Sequence, residues 1–243
     1  MAACATSREL CPELGLDDAA ATLFFEELGG ERAAFTNGEL RCAAFRVAVT
    51  DQLVEHFLER HPRALAVGLW PVLGTRSQRL SRASWLDIDA PPVSELRQRF
   101  LPEQRGHRQV GACLCAAAEL AAAGTEPRVL VLDESVLPLS AEVMMRLLDA
   151  VSRRAAPGTE LVLAHAAGAR LRPSQPERPT RSALELELPT AAGEHAFARY
   201  PRLRFVSHDT YSEGLSGSLE GLNAVSNLQG GVNAPGLVHL RLV

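Results

Sequence analysis

Short, mainly apolar runs alternate along this chain with longer amphipathic ones, and that rhythm limits the fold more than any other feature. Ala64 to Leu69 is a continuous apolar run, as a strand buried on both faces requires. Trp85 to Ile88 is a second, Arg128 to Leu132 a third and Glu160 to Ala164 a fourth, with Gln109 to Ala112 a weaker one. Between them lie helical stretches at 93–101, 114–123 and 140–154, the last with Ser140 as its N-cap. This β-α-β-α rhythm predicts a mostly parallel sheet with helices on both faces.

Two helices precede the alternation. Residues 17–29 begin at Asp17 and Asp18 and stop at Gly29-Gly30; residues 38–60 carry Phe45, Val49, Leu53 and Phe57 along one stripe before Pro62 ends the helix. Leu203 to Ser207 and Leu237 to Val243 read as the last two strands, the latter at the sheet edge. The expectation is one domain over 1–243: an N-terminal helical cap (1–61) and an α/β core (62–243). The Pro- and Arg-rich connector 168–190 is expected to be a flap over the site.

Composition removes several functions. A net charge of −4 leaves no basic footprint for nucleic acid. No apolar run approaches the ~20 residues that span a bilayer, and Met1-Ala2-Ala3-Cys4 opens no signal peptide. The expected setting is cytoplasmic, with no membrane or nucleic-acid partner; an oligomer is left open. Five cysteines without C-x-x-C spacing argue against a zinc site, so no metal is expected. All basic residues are Arg, which rules out lysine Schiff-base chemistry. G-x-S-x-G, a P-loop and H-E-x-x-H are all absent.

Open parallel sheets bind ligands at the carboxyl ends of their strands. That singles out Trp70-Pro71-Val72, Asp89, Cys113, Asp133-Glu134 and His165, with His208-Asp209 and Tyr211 after the sixth strand.

Four segments in order then resemble the leucine carboxyl methyltransferase-like family, which includes polyketide O-methyltransferases of the tetracenomycin type. Arg46 and Asp51 match an Arg and an Asp five residues apart on a helix. Leu69 to Leu80 matches a loop of the form L-G-A-G-L-D-T-R-x-x-R-L, with Thr75-Arg76 and Arg79-Leu80 intact. Trp85 to Arg97 is similar to E-V-D-x-P-x-V-x-x-x-R, and Asp133 to Leu139 to A-E-G-V-L-x-Y-L. The resemblance implies a class I methyltransferase-like (Rossmann-like) fold with seven strands. It also implies that Arg46 pairs with the carboxylate of S-adenosylmethionine (SAM), that Asp89 holds its ribose and that Glu134 lines its pocket.

The departures fall on the cofactor side. Glycine tolerates positive φ and lets a ligand approach the backbone; Trp70, Pro71 and Val72 do neither. The next family acid is replaced by Gly74, and the adenine-contacting Asp aligns with Cys113. Losses of ~1–3 kcal/mol each would sum to decades of affinity. The expected function is therefore a SAM-independent tailoring enzyme of polyketide biosynthesis, with no cofactor. It would join an amino-acid-derived amine or hydrazine nucleophile to a quinone-like polyketide by acid/base catalysis. His165, Glu134, His208 and Asp209 are the candidate catalytic groups, and Arg46, Trp70 and Tyr211 the candidate substrate contacts. Two alternatives stand beside it: a SAM-dependent O-methyltransferase, and a non-catalytic relative that binds a partner or metabolite.

Overall fold

The computed structural model describes residues 1–101, 104–132, 141–165, 200–210 and 236–243. Seven strands form one sheet: β1 (Leu65–Leu69), β2 (Ser84–Asp89), β3 (His107–Gly111), β4 (Arg128–Leu132), β5 (Glu160–His165), β6 (Leu203–Thr210) and β7 (Gly236–Leu242), in the order β3-β2-β1-β4-β5-β7-β6. β1 to β5 pair in parallel, and β7 is antiparallel to both of its neighbours. This is the expected class I methyltransferase-like α/β sheet, mostly parallel and seven-stranded.

One placement differs from the expectation. β7 is not the edge; it is inserted between β5 and β6, and β6 is the edge. The reason lies in the side chains. Leu237, Val238, Leu240 and Leu242 are all buried, as suits an interior strand, whereas β6 leaves Arg204 and Val206 exposed.

The strand alternation sorts the core into two layers. Val67, Leu69, Leu130, Leu132, Leu161 and Leu163 pack on one face against α6 (Leu114–Ala122) and α7 (Ala141–Arg154). Ala66, Val129, Val131, Val162 and Ala164 face the other way, onto Val54 and Phe57 of α3 (Asn37–Arg60). Ser140, the expected cap of α7, lies outside the described residues. α3 begins at a capping box in which Thr36 and Glu39 satisfy each other's backbone N–H groups.

The cap holds more helix than expected. α1 (Ala2–Leu10) precedes α2 (Ala19–Glu27), which is shorter than the predicted 17–29 because Asp18 is its N-cap, accepting the Ala21 N–H at 2.8 Å. α1 packs on the N-terminal half of α3 and α2 packs on α1, in one cluster that holds Cys4, Leu10, Ala21, Leu40, Ala44 and Val47. The remaining helices are α4 (Arg76–Arg79), directly after the β1 loop, and α5 (Pro91–Phe100), which starts on two prolines. No helix among the described residues is long and apolar enough to cross a membrane.

Candidate functional site

The loop leaving β1 is the site's most constrained element. Trp70 and Val72 both adopt φ of 52°, the only non-glycine residues at positive φ among those described. These are the two positions where the matching family loop has glycine. In this region Cβ crowds the following carbonyl at a cost of roughly 1–2 kcal/mol per residue, and a β-branched side chain is the worst case. The loop thus holds two non-glycine residues in the left-handed region that favours glycine.

Two buried side chains hold it there. The Asp89 carboxylate accepts the Val72 N–H at 2.7 Å and the Ala90 N–H at 2.9 Å. Arg97, on the buried face of α5, donates from Nη1 to the carbonyls of Val72 at 2.9 Å and Gly74 at 2.6 Å. Its Nη2 donates to Asp87 Oδ2 at 2.6 Å, and Ser77 Oγ (3.0 Å) and His107 Nε2 (2.9 Å) meet that same oxygen. Gly68 of β1 leaves room for this carboxylate: a Cβ there would collide with Asp87 Oδ1. Both polar groups of the Val72 residue are therefore clamped. Asp89 is 2% exposed and Arg97 1%. Burial pushes the Asp89 carboxyl above its ordinary range, against the opposite pull of the Ala90 and Val72 N–H groups and of Arg97.

SAM fits these residues poorly. A phosphate- or nucleoside-binding glycine loop works by offering backbone N–H groups to the ligand. Here Trp70 gives its N–H to the Ile88 carbonyl at 2.8 Å, Val72 to Asp89 and Gly74 to the Pro71 carbonyl at 2.6 Å; Pro71 has none. The Asp89 carboxylate that would take ribose hydroxyls is buried under the loop. The indole Nε1 of Trp70 is buried without a partner. Val72 is 39% exposed, so an isopropyl group stands where a glycine loop leaves open backbone. Cys113, at the adenine position, is exposed and heads α6 without capping it.

The structure distributes the other expected residues as follows. Arg46 sits half-buried on α3. The helix runs antiparallel to the strands, since Arg60 at its far end reaches Glu160 at the start of β5. Fourteen residues at 1.5 Å each put Arg46 about 21 Å from Arg60, toward the carboxyl ends of the strands. His165 is the last residue of β5 and pairs with Gly236, which also pairs with Thr210; His208 and Asp209 precede Thr210 on β6. The backbone therefore brings His165 and the His208-Asp209 pair to the same end of the sheet, one strand apart. Glu134, Tyr211 and the connector 168–190 lie outside the described residues. Among the described residues, no three His, Cys, Asp or Glu side chains gather as metal ligands.

Two groups escaped sequence reasoning. Asp51 does not stand alone on α3: it takes Arg76 Nε at 2.6 Å and Arg79 Nε at 2.8 Å, and Arg79 goes on to Asp18, which also accepts Thr75 Oγ1 at 2.5 Å. The Thr75-Arg76 and Arg79-Leu80 pieces of the motif thus tie the cap to the loop. Arg97 closes the matched segment 85–97, and no role attached to it; its signal was the i, i+3 spacing with Ser94, which puts both on the buried face of α5. A cavity of about 320 Å³ lies on the cap side of the Asp18 network, lined by Cys4, Ser7, Leu16, Asp18, Thr22 and Leu23 among others.

No family model matches the chain. Over 103 residues it is 32% identical to the tetracenomycin polyketide synthesis O-methyltransferase TcmP of Streptomyces glaucescens, covering 41% of this chain and 38% of that protein. The chain thus matches well under half the length of its curated relative. A solved structure of a Thermobifida fusca protein described as a methyltransferase superposes with a TM-score of 0.56 over 95% of this chain and 97% of that one, at 15% identity. The N-methyltransferase NodS from Bradyrhizobium japonicum WM9, in complex with S-adenosyl-L-homocysteine, gives 0.48 over 82% and 87%, also at 15% identity. The resemblance read from the motifs, to the tetracenomycin-type methyltransferases, is upheld, and so is the fold.

Proposed function

We propose that this chain, a relative of the tetracenomycin-type polyketide O-methyltransferases, is a methyltransferase-fold enzyme that tailors a polyketide and does so without SAM. The observation that carries the second half is the clamped loop: Val72 at φ 52° with its N–H on Asp89 and its carbonyl on Arg97. In this loop the N–H groups of Trp70, Val72 and Gly74 are engaged within the protein, Pro71 has none, and the Asp89 carboxylate is buried. Residues 1–243 act in this proposal as one methyltransferase-like domain, with 1–61 as its cap.

The chemistry left to the site is binding and proton transfer. Arg46 grips the carboxylate of an amino-acid-derived amine or hydrazine, for which its planar fork is suited. The nucleophilic nitrogen adds to an electron-poor ring carbon of a quinone-like polyketide. As the C–N bond forms, the ring C=C pair moves toward the carbonyl oxygen. A base at the carboxyl ends of the strands takes the N–H proton, and that oxygen receives a proton in turn. No oxidant is consumed and the product is the hydroquinone-level adduct. His165 and Glu134 are the base candidates, His208-Asp209 the second pair, and Trp70 and Tyr211 the further substrate contacts, Tyr211 as a hydroxyl that polarises a carbonyl.

The test is adduct formation between a hydroxynaphthoquinone carboxylic acid and a hydrazine-bearing amino acid, followed by mass spectrometry with no SAM present. The expected result is acceleration over buffer that falls at least ~10-fold in Arg46→Ala, the scale of one lost charge-assisted pair. No acceleration, or full activity of Arg46→Ala, overturns the coupling reading. A specific observation favours a second reading: the loop backbone keeps the left-handed geometry of a glycine loop. On that reading the chain is a SAM-dependent O-methyltransferase, and micromolar binding of S-adenosylhomocysteine by the unaltered protein would establish it.

A further inference from the structure

We propose that the amino edge of the sheet is a docking face for the acidic cap of a second copy of this chain, so that copies join head to tail. This is independent of the reading of the strand-end site and concerns the opposite end of the sheet.

The topology builds the face. Arg63, Arg82, Arg105, Arg128 and Arg202 stand at the amino ends of β1, β2, β3, β4 and β6 or just before them, and Arg241 comes next to last in the antiparallel β7. Neighbouring strands lie about 4.8 Å apart, so these side chains form a row across the sheet. β5 opens instead on Glu160, which Arg60, Arg241 and His239 already share. Part of the row has a structural duty: Arg128 donates to the Leu120 and Ala121 carbonyls at the end of α6, and Arg202 to the Ser152 and Ala155 carbonyls at the end of α7. The rest has none. Arg63, Arg82, Arg105 and Arg204 are exposed, and none of their side chains is held by a hydrogen bond or ion pair to another described residue. Arg204 also lies opposite Arg241 in the β6–β7 register. Two like charges face to face are unfavourable in an isolated sheet, and a carboxylate from outside relieves them.

The matching acids are on the chain itself. Residues 1–39 hold eight acidic residues and only two arginines. Glu9, Glu13, Asp17, Glu26, Glu27 and Glu31 among them are exposed. The cap packs on the N-terminal half of α3, whose 24 residues at 1.5 Å each carry it up to about 36 Å from Arg60 and the row. Both ends also expose apolar side chains: Leu23, Leu28 and Phe35 on the cap, Val206 and Val243 at the basic end. Arginine mixed with apolar surface suits a protein partner. A chain whose net charge is −4 repels a nucleic acid at long range, whereas its own cap is drawn to the row. The two patches differ, so the contact is heterologous and is not limited to a dimer.

Sedimentation velocity of the unaltered chain over a range of concentrations tests the contact, at about 0.01 M and about 1 M salt, between which the screening length falls from about 30 Å to about 3 Å. The expected result is a weight-average mass that climbs past that of a dimer at low salt and returns to that of the monomer at high salt. Glu26→Arg/Glu27→Arg and Arg63→Glu/Arg204→Glu are each expected to stay monomeric at low salt, with circular dichroism and Tm as controls on folding. An equimolar mixture of the two regains association, because each supplies the surface that the other lacks. A monomer at every concentration of the unaltered chain, an assembly that stops at a closed dimer, association that survives either charge reversal, or a mixture that stays monomeric overturns the proposal. Binding of a single-stranded oligonucleotide that is lost in Arg63→Glu/Arg204→Glu, without self-association, overturns it too and assigns the face to nucleic acid. None of these outcomes bears on the strand-end site.

Discussion

Replacing Glu160 by glutamine should remove a stability contribution that depends on pH in a calculable way. Glu160 opens β5 at 1% exposure, ringed by Arg60 at 3.0 Å, Arg241 at 2.7 Å and His239 at 2.9 Å. Burial alone would raise its carboxyl. Hydrogen bonds from His239, Arg60 and Arg241, with the charge of His239, outweigh burial and bring it down from 4.5 to about 2. A carboxyl whose pKa is lower folded than unfolded stabilises the fold above the unfolded value, and that contribution fades as pH falls through the folded one. Two and a half units correspond to about 3 kcal/mol near neutrality, still about 3 at pH 5 and about 1.4 at pH 3. The stability gap between the unaltered chain and Glu160→Gln, read from urea unfolding by circular dichroism, should therefore narrow by about 2 kcal/mol between pH 5 and pH 3. Any fixed offset from the altered hydrogen bonding cancels in that difference. A gap that stays constant, or widens toward acid, would refute the ionic account of this cluster.

The Asp51 network and the cysteines give two further tests. Asp51→Ala leaves Arg76 and Arg79 buried without their shared carboxylate, which should cost about 3–5 kcal/mol in urea unfolding; a loss under about 1 kcal/mol would mean that these ion pairs do not anchor the cap. Cys4 and Cys11 are buried, and burial pushes both thiols above their ordinary value, while Cys113 is exposed. A thiol-specific reagent at pH 7.5 should label Cys113 at least ~10-fold faster than either, by peptide mass spectrometry, and the reverse order would contradict the packing of α1 on α3.

The elements were legible where a single physical rule governs them. Leu65–Leu69 and Arg128–Leu132 read as interior strands because each lies in a short, mainly apolar run between helical stretches. β3 starts at His107, two residues before the apolar pattern does, because His107 and Arg108 are polar. They enter the ladder because Trp85 N–H reaches back to the Gly106 carbonyl and sets the register. The place of β7 was not legible: a strand inserted antiparallel between two others is a matter of long-range pairing, and no local pattern reports it. The site shows the same division. Asp89 is nameable as a strand-end acid, but its carboxylate turns into the loop onto the Val72 N–H, while Arg97, brought back by α5, holds the carbonyls of Val72 and Gly74, and neither contact has a local sequence signal.

The loop itself shows which interaction decides its shape. Two non-glycine residues at φ 52° cost together roughly 2–4 kcal/mol. Against this stand one charge-assisted bond from the Val72 N–H to Asp89 and two from Arg97 to the Val72 and Gly74 carbonyls, each worth about 1.5–3 kcal/mol. The clamp therefore exceeds the strain, and the left-handed backbone persists without glycine because the second strand and α5 impose it. Glycine in such a loop serves to avoid the strain and to leave space, but it does not create the conformation. A chain that keeps the clamp can change the three side chains above it at modest cost to its fold.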